Sequence, residues 1–348
     1  MTIPRTADDL TASWCSDALG RPVRSVTSAP IGVGTGLVGQ LHRLSVETDA
    51  GTSTLVAKLA AADEEGRFVA TVLNMYGREV GFYRELAGRV DIGLPRCHHA
   101  AHDPVTQDTV LLLDDVSGRG RLHDQVAGCT LEEARPAIRA LARFHAGTWG
   151  DESLAGIAWL PRLADDPYPT AVTFAYETAW PRVQELFADL VTPQLQAFGD
   201  DYAARIPPLF ARLCEPPLVL AHADWRLDNL FFTPDGDVVA IDWQLVDRSA
   251  GPRDLAYLVT QSVNMTSERQ YAAALDLYLD DLAAHGVDVD RSWAREMYRY
   301  GALLGFVYPV VAAGALTIDD PRHLELTRAM LGRSLRALDA LDAFDLLL

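Results

Sequence analysis

A chain of 348 residues, 49% apolar and 22% charged, is long enough to bury a large core and too apolar to be disordered. Its formal net charge of -18 argues against nucleic acid as a partner, because phosphate backbones demand basic surface; it is read as a solubility device that would also suit a cationic ligand. Four scattered cysteines (Cys15, Cys97, Cys129 and Cys214) form no C-x-x-C pair, which sets aside a zinc site or a disulfide scaffold. No basic start leads into an apolar secretory segment, so reducing cytoplasm is the expected compartment.

Ala7 to Leu19 has the pattern of a short amphipathic helix. In IGVGTGLVG, residues Gly34, Gly36 and Gly39 satisfy G-x-G-x-x-G, and glycines let a backbone approach phosphate closely. Pro30 before the loop and the strand-like LHRLSVE after it suit a glycine loop between strands better than a dinucleotide turn; a plain hairpin turn is the other reading. TLVAKL, from Thr54 to Leu59, is a short strand with Lys58 inside it. A buried ammonium is costly unless paired, so Lys58 either has an anionic partner or faces water from an edge strand. From Gly66 to Val90 one long helix is expected. Phe68, Val72, Met75, Phe82 and Leu86 recur at three- and four-residue spacing, and Glu79 interrupts that stripe. A carboxylate on a buried face calls for a cation. Lys58 is the candidate, with Arg78 and Arg84 as surface alternatives, and Glu85 lies off the stripe.

Thr109 to Leu113 reads as a strand that runs into Asp114-Asp115-Val116-Ser117-Gly118. Thr130 and Glu133 form a capping box for a helix from Leu131 to about Trp149. His145 on its apolar side is read as a core histidine with one backbone hydrogen bond rather than a metal ligand. Residues 150 to 215 are helical and aromatic-rich, and Trp159, Tyr168, Phe174, Tyr176 and Trp180 are assigned to packing.

The most informative stretch is HADWRLDNLFFTPDGDVVAID, from His222 to Asp242. A strand over Leu218 to Ala221 leads into it, and Leu230–Phe232 and Val238–Ile241 flank a Pro234-Asp235-Gly236 turn, which predicts a hairpin. Asp224 and Asn229 have D-x-x-x-x-N spacing, His222 stands two residues before the Asp, and Asp242 ends the second strand. Phosphoryl transfer from a nucleotide needs a carboxylate to accept the hydroxyl's proton and oxygen ligands for magnesium; Asp224 fits the first need, Asn229 and Asp242 the second. A polar turn whose side chains satisfy loop amides is the plain alternative. Gly251-Pro252 then opens a helix with Asp254 in its first turn, where a carboxylate suits the helix dipole. Further on, Gly301 to Ile318 carries no charge over eighteen residues, the lower edge for crossing a bilayer, but Pro309 in its middle and Asp319-Asp320 after it favour a buried helix. Three or more packed helices are expected to complete the chain.

HADWRLDN, followed by IDWQ and by DLAY from Asp254, resembles the aminoglycoside phosphotransferase and choline kinase group, most closely its ecdysteroid kinase-like branch, over roughly Pro30 to Leu335. The resemblance implies an α+β, two-lobed, protein-kinase-like fold, with an N-lobe over residues 1–116 and a C-lobe over 117–348. It implies transfer of the γ-phosphoryl group of ATP, with magnesium, to a hydroxyl of a small metabolite or antibiotic. By resemblance Asp224 is the catalytic base, and Asn229 and Asp242 hold the metal. Gly34, Gly36 and Lys58 bind phosphates, Glu79 fixes Lys58, and backbone groups near Asp114 and Val116 meet the adenine edge. His222 and Asp254 brace the loop. Ala223 stands where protein kinases carry the Arg of H-R-D, and Trp243-Gln244 where they carry Phe-Gly, both in keeping with a small-molecule kinase. The acceptor pocket is expected among C-lobe helices, with no nucleic acid or membrane partner; no protein partner is inferable. Two rivals remain: a nucleotide-binding scaffold without chemistry, and a metal-dependent hydrolase using His222, Asp224, Asp228 and Asp242, which leaves Lys58, Glu79 and the glycine loop unexplained.

Overall fold

Period-two alternation builds the sheet of the first of two units into which the chain divides. The computed structural model describes residues 1–32, 38–314 and 321–346, so the expected phosphate contacts of Gly34 and Gly36 lie outside the described residues. The first unit comprises Met1–Arg89, Gly93–Gly120 and Val239–Leu245; the second comprises Val90–Ile92, Arg121–Val238 and Val246–Leu348.

In the first unit α1 (Ala12–Leu19) precedes β1 (Ser25–Ile31), β2 (Gly39–Thr48) and β3 (Gly51–Ala60). Then come α2 (Glu64–Val72), α3 (Met75–Gly81), β4 (Cys97–His102) and β5 (Thr109–Asp114). The five strands pair antiparallel in the order β1-β2-β3-β5-β4. Leu55, Ala57 and Leu59 of β3 point to one face, where they pack with Leu10, Trp14 and Cys15 beneath the sheet. Lys58, of opposite parity, faces the other way. It lies on the central strand opposite Leu41 and Leu111, so the edge-strand reading of this lysine is excluded.

Two helices differ from expectation. The N-terminal one is split: Ala7–Asp9 forms a single tight turn, and α1 starts afresh after Thr11, whose hydroxyl accepts the Trp14 N–H. The expected long helix from Gly66 to Val90 is also broken. Asn74 adopts a left-handed conformation (φ 50°) between α2 and α3, and α3 runs into a π-helical turn over Phe82–Leu86. Asn is one of the few residues that enter this region cheaply, so neither glycine nor proline is needed to interrupt the helix. The break turns Phe68 out to water, 68% exposed, while Met75, Glu79, Phe82 and Leu86 remain buried. Tyr76, just after the break, donates its hydroxyl to the Val38 carbonyl and accepts the Ala61 N–H, tying α3 to the start of β2 and the end of β3.

The second unit is mostly helical: α4 (Leu131–Ala146), α5 (Tyr168–Leu186), α6 (Pro193–Tyr202) and α7 (Ile206–Arg212) precede three short strands. These are β6 (Val219–Ala221), β7 (Leu230–Phe232) and β8 (Val238–Ala240), within which the chain passes into the first unit. β9 (Asp247–Ser249) returns to pair antiparallel with β6. The helices α8 (Pro252–Gln261), α9 (Glu268–Ala284), α10 (Arg291–Gly314) and α11 (Pro321–Ala340) follow. β7 and β8 form the expected hairpin, closed at Gly236 with φ 85°. The capping box at Thr130 and Glu133 starts α4 as expected. No helix among the described residues is long and apolar enough to cross a membrane; residues 301–314 are the C-terminal part of α10.

Every residue of α8 is buried, and α10 runs against it. The approach is close enough that a Cβ on Gly301 would stand 2.7 Å from Ala256 Cβ and 2.9 Å from Arg253 Cα. Backbone atoms of a buried helix have nowhere to retreat, so Gly301→Ala is expected to cost about 1–3 kcal/mol through overpacking, read as a lowered denaturation midpoint with an unchanged m-value.

Candidate active site

In the first unit the site is a partly buried ammonium among acceptors. Lys58 Nζ lies 2.7 Å from Glu79 Oε2, 2.7 Å from Asp242 Oδ1 and 3.3 Å from Gln244 Oε1. Gln244 in turn donates to Asp242 Oδ2 at 3.3 Å. Burial alone would weaken the charge on Lys58, but the Asp242 and Glu79 carboxylates outweigh it and hold its pKa above the ordinary lysine value. Glu79 moves upward instead: burial dominates there, with Lys58 opposing it and Asp242 adding to it. Asp242 lies two residues past the end of β8, not on the strand as expected, because the chain turns left-handed there (φ 66°). The neighbouring Trp243 is fully buried and stacks on Phe82 at 3.9 Å and 5°, which fixes the segment against the π-helical turn after α3. At the end of β5, Asp114 pairs with His98 (2.8 Å) and Arg119 (2.5 Å), and Val116 is buried.

In the second unit the loop after β6 carries the other polar residues. Asp224 is buried, and each of its oxygens is held: Tyr257 donates its hydroxyl to Oδ1 at 2.6 Å, and Asn229 donates Nδ2 to Oδ2 at 2.8 Å. The same Asn229 amide donates to the Asp224 carbonyl at 2.9 Å. With both amide hydrogens so used, Asn229 retains Oδ1, an oxygen acceptor and a hard ligand of the kind magnesium takes. Arg226 Nε stands 3.1 Å from Asp224 Oδ1. Desolvation would push the Asp224 pKa up, but Arg226, Tyr257, His222 and Asn229 together draw it below the usual carboxylate value. Asp228, held near Arg226 at 3.2 Å, is raised, chiefly by burial.

The backbone of this loop is held from behind. Ala223 is left-handed (φ 69°), a conformation that costs a non-glycine residue about 1–2 kcal/mol. Asp254, at the start of α8, accepts the N–H of His222 at 2.7 Å on one oxygen and that of Ala223 at 3.1 Å on the other. His222 Nδ1 accepts the Asp224 N–H at 3.2 Å, so its ring is part of the brace. His145 does not make the backbone bond expected of a core histidine: its Nδ1 meets the Tyr278 hydroxyl at 2.8 Å and its Nε2 lies 3.4 Å from Asp254. Burial would raise the Asp254 pKa, yet His145, Arg253 and His222 outweigh it and bring it below the ordinary value.

Asp254→Asn would turn one acceptor oxygen into an amide donor facing a loop N–H. The expected cost is about 3 kcal/mol, the scale for breaking a buried charged contact, read as a fall in Tm. With a lowered folded-state pKa, the Asp254 contribution is present above the ordinary Asp value and lost as pH falls through the lowered one. The Tm gap between wild type and variant therefore narrows on acidification.

The structure thus brings together Lys58, Glu79 and Asp242 in the first unit, and His222, Asp224, Asn229 and Asp254 in the second. Sequence reading missed Tyr257, Gln244, Arg226 and His145 as members. The available signal for Tyr257 was its place three residues after Asp254 on one helix, which puts both side chains on the same face.

An ecdysteroid kinase-like family model matches residues 34–150 and 168–289, more than half of the chain. Among solved structures the chain is similar to a candidate aminoglycoside phosphotransferase from Ralstonia eutropha, with TM-score 0.59 and 14% identity over 95% of this chain and 97% of that one. It is also similar to the macrolide 2'-phosphotransferase MphH from Brachybacterium faecium, with TM-score 0.51 and 17% identity over 91% and 96%. A third is an amicoumacin kinase in complex with AMP-PNP and Ca2+, with TM-score 0.53 and 13% identity over 91% and 88%. At these identities the likeness is one of fold: a two-lobed, kinase-like α+β architecture. No curated protein matches the chain in sequence. With most of its length matched by a single family model and a kinase-like fold beneath it, the chain belongs to the ecdysteroid kinase-like family.

Proposed function

We propose that this protein is a small-molecule kinase that moves the γ-phosphoryl group of ATP to an alcohol. The observation that carries this reading is the treatment of Asp224, a buried carboxylate with a hydrogen-bond donor on each oxygen and Arg226 beside it, on a strained loop braced by Asp254. A loop serving only its own amides has no need to hold a carboxylate that way.

In this reading the acceptor hydroxyl donates to Asp224, its oxygen forms the new bond to phosphorus, and the bond to the bridging oxygen breaks, the electron pair leaving with ADP. The hydroxyl proton passes to Asp224. Because phosphoryl transfer is largely dissociative, a weak base suffices, and the main contribution of Asp224 is to aim the oxygen. A pKa held below the usual value keeps it ionised at neutral pH and suits that role. Lys58 binds phosphate oxygens, and Glu79 keeps its ammonium charged and directed. The Asn229 amide oxygen and the Asp242 carboxylate are hard oxygen donors that fit magnesium, which would neutralise charge on the phosphates when bound. Backbone groups near Asp114 and Val116 are assigned to the adenine edge.

The test is ATP-dependent phosphorylation across a library of hydroxyl-bearing metabolites and antibiotics, followed by mass spectrometry. A phosphomonoester product supports the reading. ATP binding with no product from any acceptor and no ATP turnover favours a nucleotide-binding scaffold.

A further inference from the structure

Asp254 and Tyr257 sit one turn apart on α8 and reach the same loop by different routes. Asp254 holds the backbone of His222 and Ala223, while Tyr257 reaches the side chain of Asp224 itself, its hydroxyl 2.6 Å from Oδ1. The helix is buried along its whole length, a setting that any large apolar side chain would satisfy, so a phenol there needs a partner and has taken the loop's carboxylate.

The hydroxyl is also kept from swinging away. The Tyr257 ring packs against Tyr308 of α10 with centroids 4.5 Å apart, and Tyr308 accepts a hydrogen bond from Arg253 at 3.2 Å. Arg253, fully buried, is anchored in turn by both oxygens of Asp247, at 3.0 and 2.8 Å, and by the Ser249 hydroxyl at 3.0 Å. Asn229 fixes the opposite carboxylate oxygen at 2.8 Å. Arg226 Nε also stands 3.1 Å from Oδ1, but the Tyr257 hydroxyl is nearer at 2.6 Å, and with Asn229 on the other oxygen it defines the plane of the carboxylate. Burial, with Asp224 adding to it, keeps the phenol protonated and therefore a donor.

We infer that Tyr257 is a positioning residue for phosphoryl transfer: its hydroxyl sets the orientation of the Asp224 carboxylate so that an acceptor alcohol, rather than water, is aimed at the phosphorus. The inference rests on the phosphotransferase reading above. It separates two events that a merely structural tyrosine would not separate, transfer to the acceptor and loss of the phosphoryl group to water.

The experiment compares the intact wild-type protein with Tyr257→Phe, scoring phosphorylated acceptor and total ADP in one reaction, with Tm measured alongside. The expected result is a fall in transfer kcat of about tenfold to a hundredfold, the scale of a hydrogen bond to a charged group, with KM for ATP unchanged and a larger share of ADP formed without phosphorylated acceptor. Tm is expected to fall only by what one buried hydrogen bond to a charged group contributes, since the ring and its contact with Tyr308 remain. Tyr308→Leu leaves the hydroxyl but removes the ring that holds it, and is expected to shift the partition the same way by less; it serves if the phenylalanine variant does not fold. Wild-type transfer kcat and partition in the folded variants overturn the inference alone. Absence of any transfer by the wild-type protein overturns the phosphotransferase reading and this inference with it.

Discussion

Asp224→Asn is expected to lower phosphoryl transfer by roughly two to four orders of magnitude, the usual worth of a positioned general base, while nucleotide affinity stays near wild type. The amide is the same size and still meets the Tyr257 hydroxyl through its oxygen. Its nitrogen, however, would face the Asn229 donor, and it has no charge with which to accept the alcohol's proton. The split between lost turnover and retained binding is what matters. A variant that loses both has lost the loop, whereas one that keeps turnover shows that Asp224 is a structural carboxylate. Steady-state transfer kinetics and nucleotide titration on the same preparation decide between these outcomes.

Lys58→Met carries the second large effect, and it acts on two observables at once. Removing the ammonium leaves Glu79, 3% exposed on α3, as a buried carboxylate without its cation, at an expected cost of about 3–5 kcal/mol. It also removes a charged contact to phosphate, weakening nucleotide binding by about tenfold to a hundredfold. The double variant Lys58→Met/Glu79→Leu distinguishes the two. An apolar pair of similar volume should regain most of the lost stability, as replacement of buried ion pairs by hydrophobic residues commonly does, without regaining nucleotide affinity. Thermal unfolding and nucleotide titration across the four-member cycle check both halves. If the double variant binds nucleotide like wild type, Lys58 serves only to neutralise Glu79.

Much of this arrangement is legible in sequence where a residue breaks a local rule. Lys58 stands in a strand of apolar residues and Glu79 in an apolar helical stripe, and each such offence implies a partner; the two lie 2.7 Å apart. The hairpin announces itself through Pro234-Asp235-Gly236, and the α4 start through its capping box. What stays hidden depends on tertiary choice. Nothing near Asn74 forces a break, since an asparagine is tolerated both inside a helix and in the left-handed region; packing of α3 on the face of the sheet that carries Lys58 goes with the second, and Phe68 is exposed. His145 looks like any core histidine because its partners, Tyr278 and Asp254, are contributed by helices more than a hundred residues onward. Tyr257 is hidden by its own burial: on a helix with no exposed face, an aromatic residue carries no periodic signal that separates packing from hydrogen bonding.

The most direct single measurement is the fate of the terminal phosphorus of ATP, followed by label, in the presence of magnesium and a pool of small alcohols. Label in a phosphomonoester of an acceptor, formed by the wild-type protein and lost with Asp224→Asn, is the predicted result. Label that stays in ATP, or appears only as inorganic phosphate whichever alcohol is present, contradicts the assignment of this chain as a phosphotransferase.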